Sequence, residues 1–339
     1  MAEAAGDKPI VTITGISGYI GGHVTLLFLQ DGGFRVRGTV RDKSSAAKID
    51  PLREAFGEEL FNQLELVEAD LLDEESLVRA VEGSTYVVHV ASPFFFSDNA
   101  EELITPAVNG TLAAMKACKA AGVRRCVVTS SVASVMNPAQ EDKPANGSCY
   151  NESYWSNPDR PEGMSNYPKS KTLAEKAAWD FLAALPEAER FELATICPAF
   201  VMGPPLRKES FTSGGWMKRL MEGTMETISS EHCCAVDVRD TAQAHLLAIK
   251  NPIAAGRRFI LCVASPSFQE YAAPVAAKYR PLGWPITENL AEANPDEYIS
   301  RFDNSASLEL GVVYTDFTKT MVDMADKMVE LGTVVKPSQ

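Results

Sequence analysis

A tyrosine and a lysine four residues apart, Tyr167 and Lys171, are the first candidates for chemistry, because this spacing places both on one face of a helix. Ser131 follows an apolar run over residues 123–129. When a hydride adds to a carbonyl, the alkoxide that forms must take a proton, and a tyrosine hydroxyl can donate it. The ordinary tyrosine pKa of about 10 is high for neutral pH, and a nearby ammonium lowers it. We therefore expect Tyr167 as general acid, Lys171 as its supporting cation and Ser131 as the hydroxyl that holds the substrate oxygen.

A glycine-rich segment follows the apolar, β-branched run Ile10–Thr14 and precedes a helical apolar pattern. Its spacing is G-x-x-G-x-x-G, one residue different from the commoner G-x-G-x-x-G. Between a strand and a helix, such glycines allow a tight turn and a close approach of the backbone to a pyrophosphate, which the free N–H groups of the helix then bind. A turn of purely structural use is the alternative. The dinucleotide contacts predicted in this segment are Gly15, Ser17, Gly18, Tyr19, Ile20 and Gly21.

The residues after the second predicted strand distinguish NADPH from NAD. An NAD site has an acidic residue there, which binds the ribose 2′-hydroxyl, whereas this chain has Val40 followed by Arg41. A guanidinium suits a 2′-phosphate, which it can bind with two hydrogen bonds, so we expect NADPH as the cofactor. NAD is the alternative, because a shift of one residue would place Asp42 against the ribose. Asp70, after the third strand, is expected either to reach the adenine or to cap a helix.

The elements that must position these residues are apolar runs that alternate with helical patterns. Strands are predicted over residues 10–14, 34–40, 64–69, 86–90, 123–129, 193–197 and 258–263, and helices begin near residues 20, 103, 166, 240 and 316. Such a sequence forms a parallel sheet covered on both faces. The expected fold is α/β, a Rossmann-type doubly wound parallel sheet with a smaller, interwoven C-terminal substrate-binding region. Residues 1–203 and about 235–263 are assigned to the NADP-binding domain, and residues 204–234 and 264–339 to the substrate-binding region.

Composition excludes several classes of function. The 339 residues contain 32 Lys and Arg against 45 Asp and Glu, a net charge of −13 without a basic stripe, so neither a nucleic acid nor an anionic membrane is an expected partner. The seven cysteines show no C-x-x-C spacing, which argues against a disulfide framework or a metal site. No apolar run reaches the ~18 residues of a membrane span. We expect a cytoplasmic location and a small-molecule carbonyl substrate.

Eight segments together resemble one known family. They are TGISGYIG (14–21), VRGTVRD (36–42), ADL (69–71), HVASP (89–93), TSS (129–131), YPKSK (167–171), PAFVMGP (198–204) and VDVRD (236–240), and they span about residues 10–250. In this order they resemble the extended short-chain dehydrogenase/reductase family, in the branch that holds dihydroflavonol reductases, cinnamoyl-CoA reductases and aldehyde or ketone reductases.

The resemblance implies roles for individual residues. It implies Ser131, Tyr167 and Lys171 as the catalytic residues, with Asn109 at the position of a proton-relay asparagine. It places Arg41 and Lys48 near the 2′-phosphate. The further cofactor contacts that the matching segments imply are Asp70, Leu71, Val90, Ala91, Ser92, Thr129 and Ser130, with Pro198, Phe200 and Val201 as a wall beside the nicotinamide. A monomer or a homodimer is expected.

Departures from the family pattern bear on the substrate. Cinnamoyl-CoA reductases carry N-W-Y-C-Y-G-K around the catalytic tyrosine, where this chain has residues 165–169, S-N-Y-P-K, so that activity is not expected. Dihydroflavonol reductases often have an asparagine where this chain has Met136. We expect NADPH-dependent reduction of a hydrophobic or aromatic aldehyde or ketone, and Phe94–96 either line the pocket or pack in the core. The alternatives are an NAD-dependent nucleotide-sugar epimerase or dehydratase and a non-catalytic, NADPH-sensing partner protein.

Overall fold

The computed structural model describes residues 8–92, 100–137, 141, 143–159, 166–208 and 211–337. Its strands are β1 (Ile10–Thr14), β2 (Arg35–Val40), β3 (Leu64–Glu68), β4 (Tyr86–His89), β5 (Arg125–Thr129), β6 (Glu192–Pro198), β7 (Phe200–Met202), β8 (Ala235–Asp237) and β9 (Arg257–Leu261). Its α-helices are α1 (Tyr19–Asp31), α2 (Ala46–Phe56), α3 (Glu58–Phe61), α4 (Glu74–Val81), α5 (Ala100–Ala120), α6 (Asn166–Ala184), α7 (Thr212–Met221), α8 (Val238–Lys250), α9 (Phe268–Tyr279), α10 (Ser305–Leu310) and α11 (Phe317–Glu330). Short 3-10 turns cover Val132–Ser134, Glu187–Glu189, Pro252–Ala254 and Arg280–Leu282.

The central sheet is parallel throughout. Within the described residues it has seven strands in the order β3-β2-β1-β4-β5-β6-β9. The direction of the strand order reverses between β1 and β4, which pair from Val11 with Tyr86 to Thr14 with His89. Ligands of open parallel sheets bind beyond the carboxyl ends of the strands at such a reversal. The predicted Rossmann-type doubly wound sheet is confirmed.

The inner strands of the sheet are buried on both faces, which explains their largely apolar sequences. Val11 and Ile13 of β1 are fully buried in the core that holds Val24 and Phe28 of α1. Thr12 points to the opposite face and is also fully buried, with its Oγ1 2.7 Å from Ser84 Oγ. Helices that cover both faces therefore fix the strand ends that carry the predicted site.

A second apolar core lies beside the sheet, around the parallel pair β7–β8 and helices α7, α9 and α11. Met321, Met324 and Met328 of α11 are fully buried in it, as their i, i+3, i+7 spacing predicts. Tyr271 of α9 is also fully buried there. The exact division of the chain into a cofactor-binding and a substrate-binding region stays a prediction.

Among the helices of the described residues, none combines the length and apolar character needed to cross a membrane.

Candidate active site

The glycine loop joins β1 to α1 at the carboxyl edge of the sheet. Gly15 has a φ of +71°, and a Cβ there would lie 2.8 Å from Ala91 Cβ. A Cβ on Gly21 would lie 2.2 Å from the Gly15 carbonyl oxygen. Glycine is therefore required at both positions. The N-cap residue of α1 is Gly18, which has no side chain to cap the helix. The first N–H groups of this helix therefore suit a pyrophosphate.

A segment from the other side of the site covers this loop. The Tyr19 hydroxyl donates to the Gly203 carbonyl at 2.7 Å, and the Tyr19 ring stacks on Phe211 with the ring centroids 4.1 Å apart. The buried Arg207 donates from Nη2 to the carbonyl oxygen of Ser17 in the glycine loop. Sequence reasoning missed Arg207, because a single arginine in an irregular segment carries no motif. Its guanidinium adds positive charge where a pyrophosphate would lie.

Beyond β2, the basic residues that were predicted near a 2′-phosphate are both exposed. Arg41 directly follows the strand, and Lys48 lies on α2. The Asp42 carboxylate accepts hydrogen bonds from the backbone N–H and the hydroxyl of Ser44, at 2.8 and 2.6 Å. These bonds hold Asp42 in a local turn, whereas the alternative NAD site required it against a ribose.

Asp70 does not cap a helix. It lies exposed after β3, and its Oδ1 accepts from the Leu72 N–H at 2.9 Å. The cap of α4 is Asp73, which accepts from the Ser76 N–H at 3.1 Å, so this alternative for Asp70 is wrong. The contact with adenine stays a prediction.

Ser131, Tyr167 and Lys171 converge at the carboxyl edge of the sheet. Tyr167 is the second residue of α6, and its hydroxyl is hydrogen-bonded to the Ser131 side chain. Lys171 lies one turn further along α6, with Nζ 5.8 Å from the centroid of the Tyr167 ring. Ser131 follows β5, and its Oγ accepts from the Ala133 N–H at 3.1 Å, which orients the hydroxyl. The three residues predicted to be catalytic are therefore brought together.

The pKa of Tyr167 differs from expectation. The sequence predicts that Lys171 lowers it, but in this structure burial raises the pKa of Tyr167, and only the hydrogen bond with Ser131 opposes that rise. Lys171 donates from Nζ to Ser92 Oγ at 3.0 Å and lies over the ring of Tyr167. Burial also lowers the pKa of Lys171 to about 8. A protonated Tyr167 beside an ammonium is therefore the form at neutral pH, and this form can donate a proton.

The ends of β4 and β5 form the floor of the site. The Val90 and Ala91 N–H groups both donate to Thr14 Oγ1 at 3.1 Å, which holds this edge of β4 against β1. Thr129 Oγ1 lies 2.7 Å from His245 Nε2, and the Ser130 hydroxyl donates to Glu175 at 2.6 Å. The side chains of Thr129 and Ser130 thus make protein contacts, and Ser92 contacts Lys171.

The remaining predicted residues lie around this group. Pro198 is buried at the end of β6, and Phe200 and Val201 are half-buried in β7. Leu71 packs against Gly110 of α5. Asn109 is exposed on α5, whereas Ser131 and Lys171 are buried, so the structure does not bring it into the catalytic group. Phe94–96 lie outside the described residues.

Comparison with known proteins agrees with this geometry. Residues 11–262 match the model of the NAD dependent epimerase/dehydratase family. Cinnamoyl-CoA reductase 1 of Petunia hybrida is 32% identical over 335 residues, which cover 97% of this chain and 95% of that protein. Dihydroflavonol 4-reductase of Zea mays is 31% identical over 332 residues, which cover 96% of this chain and 88% of that protein.

Solved structures of other proteins have a similar fold to this chain. Yeast methylglyoxal/isovaleraldehyde reductase Gre2, complexed with NADPH, has a TM-score of 0.79 and 27% identity, and the match covers 96% of this chain and 100% of that one. That complex supports the predicted cofactor. The matched span includes the glycine loop and the segment that carries Ser131, Tyr167 and Lys171. The chain belongs to the NAD dependent epimerase/dehydratase family of extended short-chain dehydrogenases/reductases and is an oxidoreductase of its reductase branch.

Proposed function

We propose that this chain reduces a hydrophobic or aromatic aldehyde or ketone to the alcohol, with NADPH as the hydride donor. The observation that carries the proposal is the convergence of Ser131, Tyr167 and Lys171 at the strand edge that also bears the glycine loop. Reductases among the relatives support the same reaction class.

Ser131, Tyr167 and Lys171 each have a separate role in the reduction. When bound, NADPH supplies the hydride. Ser131, whose hydroxyl is oriented by the Ala133 N–H, holds the carbonyl oxygen of the substrate. Tyr167, whose pKa is raised by burial, is protonated at neutral pH and donates its proton to the developing alkoxide. Lys171, with a pKa of about 8, is then an ammonium whose charge stabilises the phenolate that remains.

Separate residues hold the two ends of the cofactor. The glycine loop and the start of α1 bind the pyrophosphate, and Arg207 adds a positive charge over the same loop. Arg41 and Lys48, exposed beyond β2, bind the 2′-phosphate and select NADPH over NADH. This division predicts that Arg207 serves both dinucleotides and that Arg41 serves only one.

The substrate class is proposed from the wall of the site. Phe200 and Val201 of β7 are half-buried apolar residues. The ring of Phe200 lies next to that of Tyr271, with the ring centroids 6.3 Å apart. An apolar wall of this kind favours hydrophobic or aromatic carbonyls. The S-N-Y-P-K segment around Tyr167 keeps cinnamoyl-CoA esters outside the proposed substrates.

We also propose a cytosolic location, because all seven cysteines are free thiols. The oligomeric state, monomer or homodimer, is measured by size-exclusion chromatography with light scattering.

The direct test follows the loss of NADPH absorbance over a panel of aldehydes, ketones and diketones, with NADH in parallel. The expected result is turnover that is faster with NADPH and faster with aromatic carbonyls. The absence of turnover on every carbonyl, with tightly bound NAD in the purified protein and activity on a nucleotide sugar, would instead establish the epimerase or dehydratase reaction.

A further inference from the structure

A buried carboxylate on the catalytic helix carries no role in the mechanism above. Glu175 lies one turn beyond Lys171 on α6, and 2% of the residue is exposed. Burying a charge is costly unless it is paired and hydrogen-bonded. Donors on β6, on β9, on α6 itself and in the segment after β5 satisfy this carboxylate. Burial raises the pKa of Glu175, but Arg258 and two serine hydroxyls hold it below its usual value. Glu175 is therefore ionised.

The two oxygens of Glu175 face different parts of the fold. Oε2 accepts from the hydroxyls of Ser130 and Ser134, at 2.6 and 2.5 Å. Oε1 accepts from the Thr195 hydroxyl of β6 at 2.7 Å and from Arg258 Nε of β9 at 2.7 Å. Oε2 also accepts from Arg258 Nη2 at 3.1 Å, so Arg258 binds both oxygens. The segment after β5 binds only Oε2, and Thr195 of β6 binds only Oε1.

The two serines on Oε2 flank the catalytic serine. Ser130 immediately precedes Ser131, and Ser134 lies three residues after it. The N–H of Ser134 donates to the Ser131 carbonyl oxygen at 3.0 Å. Glu175 is on the same helix as Tyr167 and Lys171, so its bonds to the serines link that helix to the backbone on both sides of Ser131.

Arg258 extends this link to the loop beside the site. Its Nη1 donates to the carbonyl oxygens of Glu152 and Tyr154, at 2.8 and 2.7 Å, and its guanidinium stacks on the Trp155 ring at 3.7 Å. Arg258 is 8% exposed, and it neutralises Glu175. Loss of either charge would leave the other buried without its partner.

We infer that Glu175 is a positioning residue for the proposed reduction, which sets the place of the Ser131 hydroxyl relative to Tyr167 by holding Ser130 and Ser134. The inference rests on the proposed function. Ser131 and Tyr167 come from different elements, and a displacement of about 1 Å between reacting groups can lower a rate by about a hundredfold. The bonds from Ser130 and Ser134 to Glu175 join the segment after β5, which carries Ser131, to helix α6, which carries Tyr167.

Only a carboxylate both accepts at each of its oxygens and carries the charge that pairs with Arg258. The donors that converge on its two oxygens are Ser130, Ser134, Thr195, Trp179 Nε1, two nitrogens of Arg258 and, at longer range, the Cys197 thiol. A glutamine amide would present one oxygen and two N–H donors to the same set. The serine and threonine hydroxyls can turn to accept from the amide, but the negative charge that pairs with Arg258 is lost, and one Arg258 nitrogen faces an N–H donor instead of an acceptor.

The test compares two variants that each remove one hydroxyl from the same carboxylate. Ser134→Ala removes a bond to Oε2, on the Ser131 side, and Thr195→Val removes a bond to Oε1, on the sheet side. Both should lower Tm by similar amounts. We expect Ser134→Ala to lower kcat about tenfold with the KM for NADPH unchanged, and Thr195→Val to leave kcat within about twofold of wild type. Glu175→Gln should lower kcat by about a hundredfold if it folds.

A double variant with Ser131→Ala distinguishes a positioning role of Ser134 from a general loss of stability. In a Ser131→Ala background the hydroxyl to be positioned is gone, so Ser134→Ala should add no further loss of kcat. Equal losses in Ser134→Ala and Thr195→Val, or a Ser134 effect of full size in the Ser131→Ala background, would overturn the inference while the wild type remained an active reductase. A wild type that reduces no carbonyl would overturn the proposed function and this inference with it.

Discussion

Lys171 donates a hydrogen bond from Nζ to Ser92 Oγ at 3.0 Å, which ties the catalytic helix to the segment after β4. The lysine is buried, and Nζ is 5.8 Å from the centroid of the Tyr167 ring. Ser92 therefore contributes to the position of the ammonium beside the general acid.

The pH dependence of reduction should report Lys171. Burial lowers its pKa to about 8, so the ammonium predominates below that pH and is lost above it, while the pKa of Tyr167 is raised and its hydroxyl stays protonated. We expect kcat/KM for the carbonyl to be level at neutral pH and to fall as pH rises through about 8. Initial rates at saturating NADPH measure this profile. A profile that stays level well above pH 8 would contradict it.

Ser92→Ala should move that descending limb to lower pH. Hydrogen bonds to charged groups contribute about 1.5–3 kcal/mol, and loss of this acceptor favours the neutral amine. The rate at neutral pH should fall roughly threefold to tenfold for the same reason. Ser84→Ala is the control, because Ser84 precedes β4, at the opposite end of this strand from Ser92, and its buried hydroxyl is bound to Thr12 instead of Lys171. A limb that moves in both variants, or in neither, would argue against the Ser92 contact.

Arg41→Ala should remove the preference for NADPH. A charge-assisted hydrogen bond to the 2′-phosphate is worth about 1.5–3 kcal/mol, so kcat/KM for NADPH should fall roughly tenfold to a hundredfold while that for NADH changes little. Arg35→Ala provides the comparison: Arg35 is exposed at the start of the same strand, on the order of 20 Å away. Equal loss with both cofactors would show that Arg41 does not read the phosphate.

Arg207→Gln should weaken both dinucleotides, because the pyrophosphate is common to them. We expect Kd for NADPH and for NADH to rise by a similar factor, about tenfold or more. Lys208→Ala, a loss of the exposed neighbouring cation, is the control and should change neither Kd. Cofactor fluorescence titrations measure both constants. Selective loss of NADPH binding would place Arg207 at the 2′-phosphate instead.

Most of the sheet was predictable because its inner strands β1, β4, β5 and β6 are buried on both faces and so form largely apolar runs. The prediction for residues 123–129 corresponds to β5 at Arg125–Thr129, and that for residues 193–197 corresponds to β6 at Glu192–Pro198. The pair β7–β8 was missed, since strands of three residues carry no period. Helix α4 was also missed, although Asp73 followed by Glu74 and Glu75 is a recognisable helix start.

The candidate site also contains residues that the sequence predicted and residues that it missed. Tyr167 and Lys171 are readable because four residues separate them on one helix, and Ser131 because it follows a strand. Arg207 and Glu175 were missed, since their partners lie far away in the sequence: Ser17 for one and Arg258 for the other. Contacts of that kind depend on the strand order, which the sequence pattern does not specify.

Tyr167→Phe tests the central claim most directly. The substitution removes only the hydroxyl and keeps the ring that packs beneath Lys171. NADPH titration should give an unchanged Kd, and the rate of NADPH oxidation on the best carbonyl substrate of the wild type should fall by about a hundredfold to ten-thousandfold, the usual contribution of a general acid. A variant that retains NADPH binding and turns over within roughly threefold of wild type would contradict Tyr167 as the proton donor.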